Sequence, residues 1–262
     1  IELWGSPNKQ EPKILCLIYT YHKKHYKVKV IRGTWASRCN GMLVFSDQDD
    51  NTIPTHKINH EGAEEYQNIW QKIRAIWKHV HHWYRDDYEW FLVAGDDTYF
   101  LMENLRKYLL SKEITAASEG LLPMYLGRRM KQDDGIRFNA GGPGYILNRK
   151  ALAVLIQNMD DARCQPHASV SWEDVQVAKC LALSGVLPYD TRDKLGRERF
   201  HPFSPGAHFA YRIPPPGVKD WYPRFSFDLK EGRDCCAPDS ISFHYVNVDM
   251  MSWLHHQLYT CR

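Results

Sequence analysis

Short apolar blocks alternate along the chain with longer stretches whose apolar residues fall at helical spacing. Residues 13–20 (KILCLIYT) are a brief apolar run with polar flanks, the pattern of a buried strand. Between residues 24 and 37, Val28, Ile31 and Trp35 lie three or four positions apart, which predicts a helix. Residues 42–45 form a second short strand, closed by Ser46, Asp47 and a polar loop through Asn51. The clearest helix spans 61–85, with an apolar stripe of Tyr66, Ile69, Trp70, Ile73, Ile76, Trp77, Val80, Trp83 and Tyr84. A strand over 90–94 breaks at Gly95-Asp96-Asp97, a helix follows over 101–110, and another strand covers 124–127. Such alternation predicts the α/β class, with a mainly parallel sheet flanked by helices.

Beyond about residue 130 the pattern changes. Gly141-Gly142-Pro143-Gly144 is a turn ahead of the apolar residues 145–147, and helices are predicted over 149–158 and 173–183. Residues 200–227 are rich in Pro, Gly and aromatics and show little period, as expected of a loop that either binds a ligand or packs on the core.

Composition narrows the class. With 262 residues, 44% of them hydrophobic, the chain can fill the core of one sizeable domain. The aromatic share of 13% excludes intrinsic disorder. The apolar run 14–19 is too short to cross a bilayer. A net charge of +3, from 34 basic and 31 acidic residues, gives no argument for a nucleic-acid partner. The 7 cysteines contain no CxxC pair, so a zinc ribbon or thioredoxin-like site is not indicated. Their scatter fits either a few disulfides in an oxidising compartment or buried thiols.

Three places carry candidate chemistry. Asp96-Asp97 follow a strand, where open α/β sheets bind ligands. Two adjacent carboxylates there either share a hard divalent cation or cap the next helix. Glu173-Asp174 open a helix, where acids complement the helix dipole; one turned into a cleft could serve as a general base. His244, in the run SFHYV, is either packed or a metal ligand completing a site begun by Asp97.

Taken in order, ILCLIYT, RGTWASRC, WFLVAGDDTY, LGRRMK, NAGGPGYILN, WEDVQVAKC, RFHPFSP, GRDCCAP and SFHYV resemble the fringe-like β1,3-glycosyltransferases, glycosyltransferase family 31. The similarity runs from Ile14 to Val246 and is strongest with the core 1 β1,3-galactosyltransferase branch. It implies one GT-A (Rossmann-like) domain over residues 1–262, with a nucleotide-binding half (12–130) and an acceptor-binding half (131–262). It also implies inverting, Mn²⁺-dependent transfer of galactose from UDP-galactose to the 3-hydroxyl of GalNAc on a glycoprotein or glycopeptide.

Site roles follow residue by residue from the resemblance. Asp97 and His244 would hold the metal, Asp96 would approach the ribose or support its loop, and Asp174 would be the base. Thr20, Tyr21, Arg32 and Asp47 would form the uridine pocket. The turn at Gly142 would floor the sugar site, with Trp221, Tyr222 and Tyr245 contacting the acceptor. The resemblance further implies a Golgi membrane protein with a lumenal catalytic domain. The start at Ile1 would then mean an excised region lacking its anchor, with homodimerisation open. Local disulfides would join Cys16 to Cys39 and Cys164 to Cys180, with Cys235, Cys236 and Cys261 unassigned. One departure stands out: Gly95 occupies the place of the first acid of the family's metal triplet. It leaves open a related transferase using another donor, such as UDP-GlcNAc, and a non-catalytic chaperone-like relative.

Overall fold

The computed structural model describes residues 11–119 and 122–260. The first half contains β1 (Ile14–Tyr19), α1 (His25–Gly33), β2 (Gly41–Ser46), β3 (Thr55–Lys57), α2 (Ile69–Tyr84), β4 (Trp90–Gly95), β5 (Tyr99–Phe100), α3 (Met102–Leu109) and α4 (Lys112–Glu119). Next come β6 (Tyr125–Gly127), β7 (Arg129–Lys131), β8 (Arg137–Asn139), β9 (Tyr145–Asn148), α5 (Arg149–Asn158) and α6 (Glu173–Ala182). The chain continues with β10 (Phe200–His201), α7 (Pro205–Ala210), α8 (Trp221–Phe225), β11 (Ser242–Phe243) and α9 (Val248–Tyr259).

Six strands form one sheet in the order β3-β2-β1-β4-β9-β6. β1 pairs parallel with both β2 and β4, β2 pairs parallel with β3, and β9 runs antiparallel between β4 and β6. The class is therefore the α/β one expected, a mainly parallel sheet between helices. Strand side chains alternate between the two faces. On one face Leu15, Leu17, Phe45, Phe91, Val93 and Leu147 pack with Trp70, Ile73, Ile76 and Trp77 of α2 and with α5 and α6. On the other, Ile14, Cys16, Ile18, Val44, Leu92 and Ile146 pack with Val28 and Ile31 of α1, Leu105 of α3 and Met251 of α9. Both faces are dry, so the strands read as unbroken apolar runs.

Several elements differ from their predicted extents. α2 starts at Ile69 and not near residue 61, because Asn68 intervenes. Its side-chain amide donates to the carbonyls of Glu61 (2.7 Å) and Ala63 (2.9 Å), folding that stretch into a separate turn. The helix predicted over 24–37 ends at Gly33. Thr34 donates its hydroxyl back to the Val30 carbonyl (2.8 Å) and leaves helical backbone angles, so Trp35 sits in a short 3₁₀ turn. The stretch 200–227 is not all loop. α7 starts on Pro205, and α8 is capped by Asp220, whose carboxylate accepts from the Tyr222 N–H. Each is under two turns long, too short to print a period. Among the described residues no helix is long and apolar enough to cross a membrane.

Disulfides join Cys16 to Cys39 and Cys164 to Cys180, with Cα–Cα distances of 6.2 and 5.1 Å. The adjacent Cys235 and Cys236 pair with each other. Cys261 lies outside the described residues. The Cys16–Cys39 bridge spans 23 residues, ties β1 to the turn after α1 and buries Cys16 completely. Closing a loop of that size stabilises a fold by about 3 kcal/mol. The double variant Cys16→Ala with Cys39→Ser is expected to lower the unfolding free energy by that order, read as a lower urea midpoint.

Candidate active site

β1 and β4 end side by side, with Tyr19 opposite Gly95 in the register. A cleft of about 1000 Å³ opens beyond these strand ends. The two acids after β4 diverge. Asp96 is 6% exposed and turns back into the protein, where Thr20 Oγ1 donates to Oδ2 (2.8 Å) and Lys27 Nζ donates to Oδ1 (2.9 Å). Asp97 faces the cleft, with its Oδ1 3.3 Å from His244 Nε2.

The small sheet β10-β11-β5 creates that meeting. β5 leaves directly from the acidic turn and pairs antiparallel with β11, placing Tyr99 opposite Phe243. The Val246 N–H then donates to the Asp97 carbonyl at 2.9 Å, closing the segment around His244. Tyr245 is held at φ 54°, a left-handed conformation that costs a non-glycine residue about 1 kcal/mol, and its ring stacks on His244 at 3.8 Å. Gly142 completes the arrangement. A β-carbon there would run into the His244 imidazole, and the Gly142 carbonyl accepts from the Thr98 hydroxyl at 2.7 Å. Burial alone would raise the Asp97 pKa, but His244, Lys27 and Lys24 outweigh it and hold the carboxyl below its usual value. A carboxylate and an imidazole converging at the cleft make a donor set that suits a divalent cation such as Mn²⁺.

On the opposite wall α6 begins with Glu173 and Asp174. The Gly141 N–H donates to Asp174 Oδ2 and the Val175 N–H to Oδ1, both at 2.8 Å. Burial raises the Asp174 pKa, and these two N–H groups partly offset it by favouring the anion. Glu173 is 4% exposed and accepts one hydrogen bond, from the Tyr145 hydroxyl at 2.9 Å. Burial, reinforced by the neighbouring Asp174 charge, pushes its pKa well above the usual range. Environment thus distinguishes two adjacent acids: Glu173 is buried with one phenolic donor, and Asp174 lies at the cleft with two N–H groups that favour its anion.

Of the residues the sequence pointed to, Thr20, Tyr21, Asp96, Asp97, Gly142, Asp174, Trp221, His244 and Tyr245 line the cleft. Three do not. Arg32 is exposed and donates to the Thr52 carbonyl (3.1 Å). Asp47 binds the His22 backbone N–H (2.7 Å) and ring (2.5 Å). Burial opposes these bonds from His22, yet they hold the Asp47 pKa down to about 2. Tyr222 is 2% exposed and sits behind the wall, with its hydroxyl accepting from Arg128 (3.2 Å). Residues not singled out from the sequence also line the cleft: Tyr19, Lys24, Tyr66, Lys72 and Trp172. Lys72 is a visible exception on the inner side of α2, where it donates to the Thr20 carbonyl (2.5 Å). Tyr66 reads as part of an apolar stripe until the late start of α2 leaves it 72% exposed.

Among the described residues, the one group of three metal-capable side chains within reach of each other is His201, His208 and Cys236. Its third member is committed elsewhere, and the histidine Nε2 atoms are engaged. Cys236 is bonded to Cys235, the His201 Nε2 engages Ser240 Oγ (2.9 Å), and the His208 Nε2 accepts from the Phe203 N–H (3.0 Å).

The Fringe-like family model matches residues 12–183. The chain belongs to the Fringe-like family. Its motifs therefore lie in a glycosyltransferase framework. Glycoprotein-N-acetylgalactosamine 3-beta-galactosyltransferase 1 of Xenopus laevis is 34% identical over 254 residues, 95% of this chain and 67% of the relative. Chondroitin sulfate synthase 3 of Homo sapiens is 28% identical over 168 residues, 58% of this chain and 18% of the relative. The beta-1,3-glucosyltransferase of Homo sapiens is 22% identical over 61% of this Fringe-like chain and 30% of its own. The chain thus spans two thirds of the first relative and under a third of the other two.

The buried Glu173 carboxyl takes up a proton on folding, between the ordinary glutamate pKa and its raised value. Its contribution to stability is full below that window and is lost as pH rises through it. Glu173→Gln preserves a partner for Tyr145 and removes the titration. Urea unfolding at about pH 5 and about pH 8 should show a shallower decline for the variant. Equal slopes would mean that Glu173 is ionised in the native state.

Proposed function

We propose that this domain transfers galactose from UDP-galactose to the 3-hydroxyl of GalNAc α-linked to Ser or Thr of a glycoprotein, inverting the anomeric centre. One observation carries the reading: Asp97 and His244 meet on one wall of a single cleft, and Asp174, held by two backbone N–H groups, stands on the other. The Xenopus laevis relative, named for galactosyl transfer to N-acetylgalactosamine, supports the choice of sugars.

In this reading Asp174 accepts the proton of the acceptor hydroxyl while that oxygen attacks the anomeric carbon. The bond to UDP breaks on the opposite face, so the α-linked donor sugar becomes β-linked in one displacement and no protein nucleophile is required. Asp97 and His244 would hold Mn²⁺, which when bound supplies positive charge to the departing diphosphate. Lys24, at the cleft edge 3.9 Å from Asp96, adds a second cation on that side. Asp96 itself, tied to Thr20 and Lys27, supports the acidic turn. Exposed Trp221 and Tyr245 offer flat apolar faces for the acceptor sugar. Three disulfides suit the Golgi lumen as the place of work, with a membrane anchor outside this domain.

The test is transfer to a GalNAc-peptide from a panel of UDP-sugars, with and without Mn²⁺. UDP-galactose with Mn²⁺ should be turned over preferentially; preference for UDP-GlcNAc would replace the donor, and no turnover at all would favour a non-catalytic role. Asp174→Asn should lower kcat by about 10²- to 10⁴-fold with UDP affinity retained. An unchanged kcat would sink the base assignment.

A further inference from the structure

Tyr19 ends β1 and Gly95 ends β4, as direct partners in the parallel register. The Tyr19 ring packs against the core on the α2 side, while the residue also lines the cleft. Gly95 does not have a left-handed backbone, so its lack of a side chain is a matter of space and not of conformation. A β-carbon built there would lie 3.3 Å from the Tyr19 hydroxyl and 3.3 Å from Asp97 Oδ1. Any longer side chain at this position would have to displace one of them. The bare glycine therefore lets a phenol stand beside the carboxylate of the Asp97–His244 pair.

The surroundings of that phenol are informative. Burial, and then the acidic groups of both walls, push its pKa well above the usual tyrosine value. It is thus a neutral O–H donor that feels acids on both walls. Among the described residues it makes no hydrogen bond. At the cleft wall this hydroxyl is free to give its hydrogen bond to a ligand or to solvent. In the transferase reading, the group that passes from Asp97 and His244 toward Asp174 is the donor sugar, whose exposed atoms beside such a phenol are hydroxyl oxygens.

We infer that Tyr19 is a donor-sugar-binding residue: its hydroxyl donates a hydrogen bond to a hydroxyl oxygen of the transferred hexose, and Gly95 keeps that position open. This rests on the nucleotide-sugar reading of the cleft. UDP lacks the hexose, so it reports on the nucleotide and metal part of the site alone.

Calorimetry with UDP and with UDP-galactose, both with Mn²⁺, separates the two. Tyr19→Phe keeps the ring and the core packing, so its thermal midpoint should stay near the parent's. Its UDP affinity should be unchanged, and its UDP-galactose affinity should fall about 5- to 10-fold, the loss expected from one neutral hydrogen bond. Gly95→Asp should also weaken UDP-galactose binding, and less so when combined with Tyr19→Ala, which empties the space that the new side chain needs. Equal UDP-galactose affinity in the parent and Tyr19→Phe, with UDP still bound, would overturn the role of Tyr19 and leave the transferase reading standing. A parent that binds neither UDP nor UDP-galactose would overturn both.

Discussion

The antiparallel pairing of β5 with β11 is the contact on which the site depends. Asp97 lies in the first half of the chain and His244 near its far end. They face each other because Tyr99–Phe100 and Ser242–Phe243 share hydrogen bonds and the Val246 N–H closes on the Asp97 carbonyl. Each strand is two residues long and could not persist alone. The pairing is stable because it caps a large core, with Phe100, Phe200 and Ile241 fully buried beneath it. The strained backbone of Tyr245 and the bare turn at Gly142 are local adjustments to this imposed geometry.

Charge in the cleft follows from where each backbone ends. Three carboxylates lie near one another, and each is handled differently. Asp96 is paired with Lys27 and takes a hydrogen bond from Thr20, Asp97 is balanced by His244 and two lysines, and Asp174, whose pKa burial raises, receives two N–H groups that favour its ionised form. Glu173, with one phenolic donor and full burial, keeps its proton. The glycines at 95, 141 and 142 leave these groups room to approach, since a β-carbon at each would meet a functional side chain. A modest net charge is compatible with such a site because the balance is local.

Much of the fold was legible in the chain. The strands 13–20, 42–45, 90–94 and 124–127 are apolar on both faces, and a sheet buried on both sides produces that pattern whatever its neighbours. The helices predicted over 149–158 and 173–183 match α5 and α6, whereas no helix was predicted where α9 lies. Legibility failed where a single side chain overrides the period, at Asn68 before α2 and Thr34 after α1. It failed also where elements are too short to have a period, as in α7 and α8. At the site, ordered motifs singled out Asp97, Asp174 and His244, and the cleft contains all three. Arg32, Asp47 and Tyr222 lie outside its lining because their polar atoms are already engaged elsewhere in the fold.

The sequence alone determined the α/β class, the family-like order of motifs and the two acidic pairs. These are properties of local spacing and residue type, which survive without knowledge of distant contacts. Only the tertiary structure decided how each acid is held: Asp96 by Lys27 and Thr20, Glu173 by the Tyr145 hydroxyl. It also decided that Cys235 pairs with Cys236, and that Tyr19 stands over Gly95 while Lys72 and Tyr66 reach the same space. Those outcomes depend on strand register and helix start, which long-range packing sets and no short window of sequence encodes.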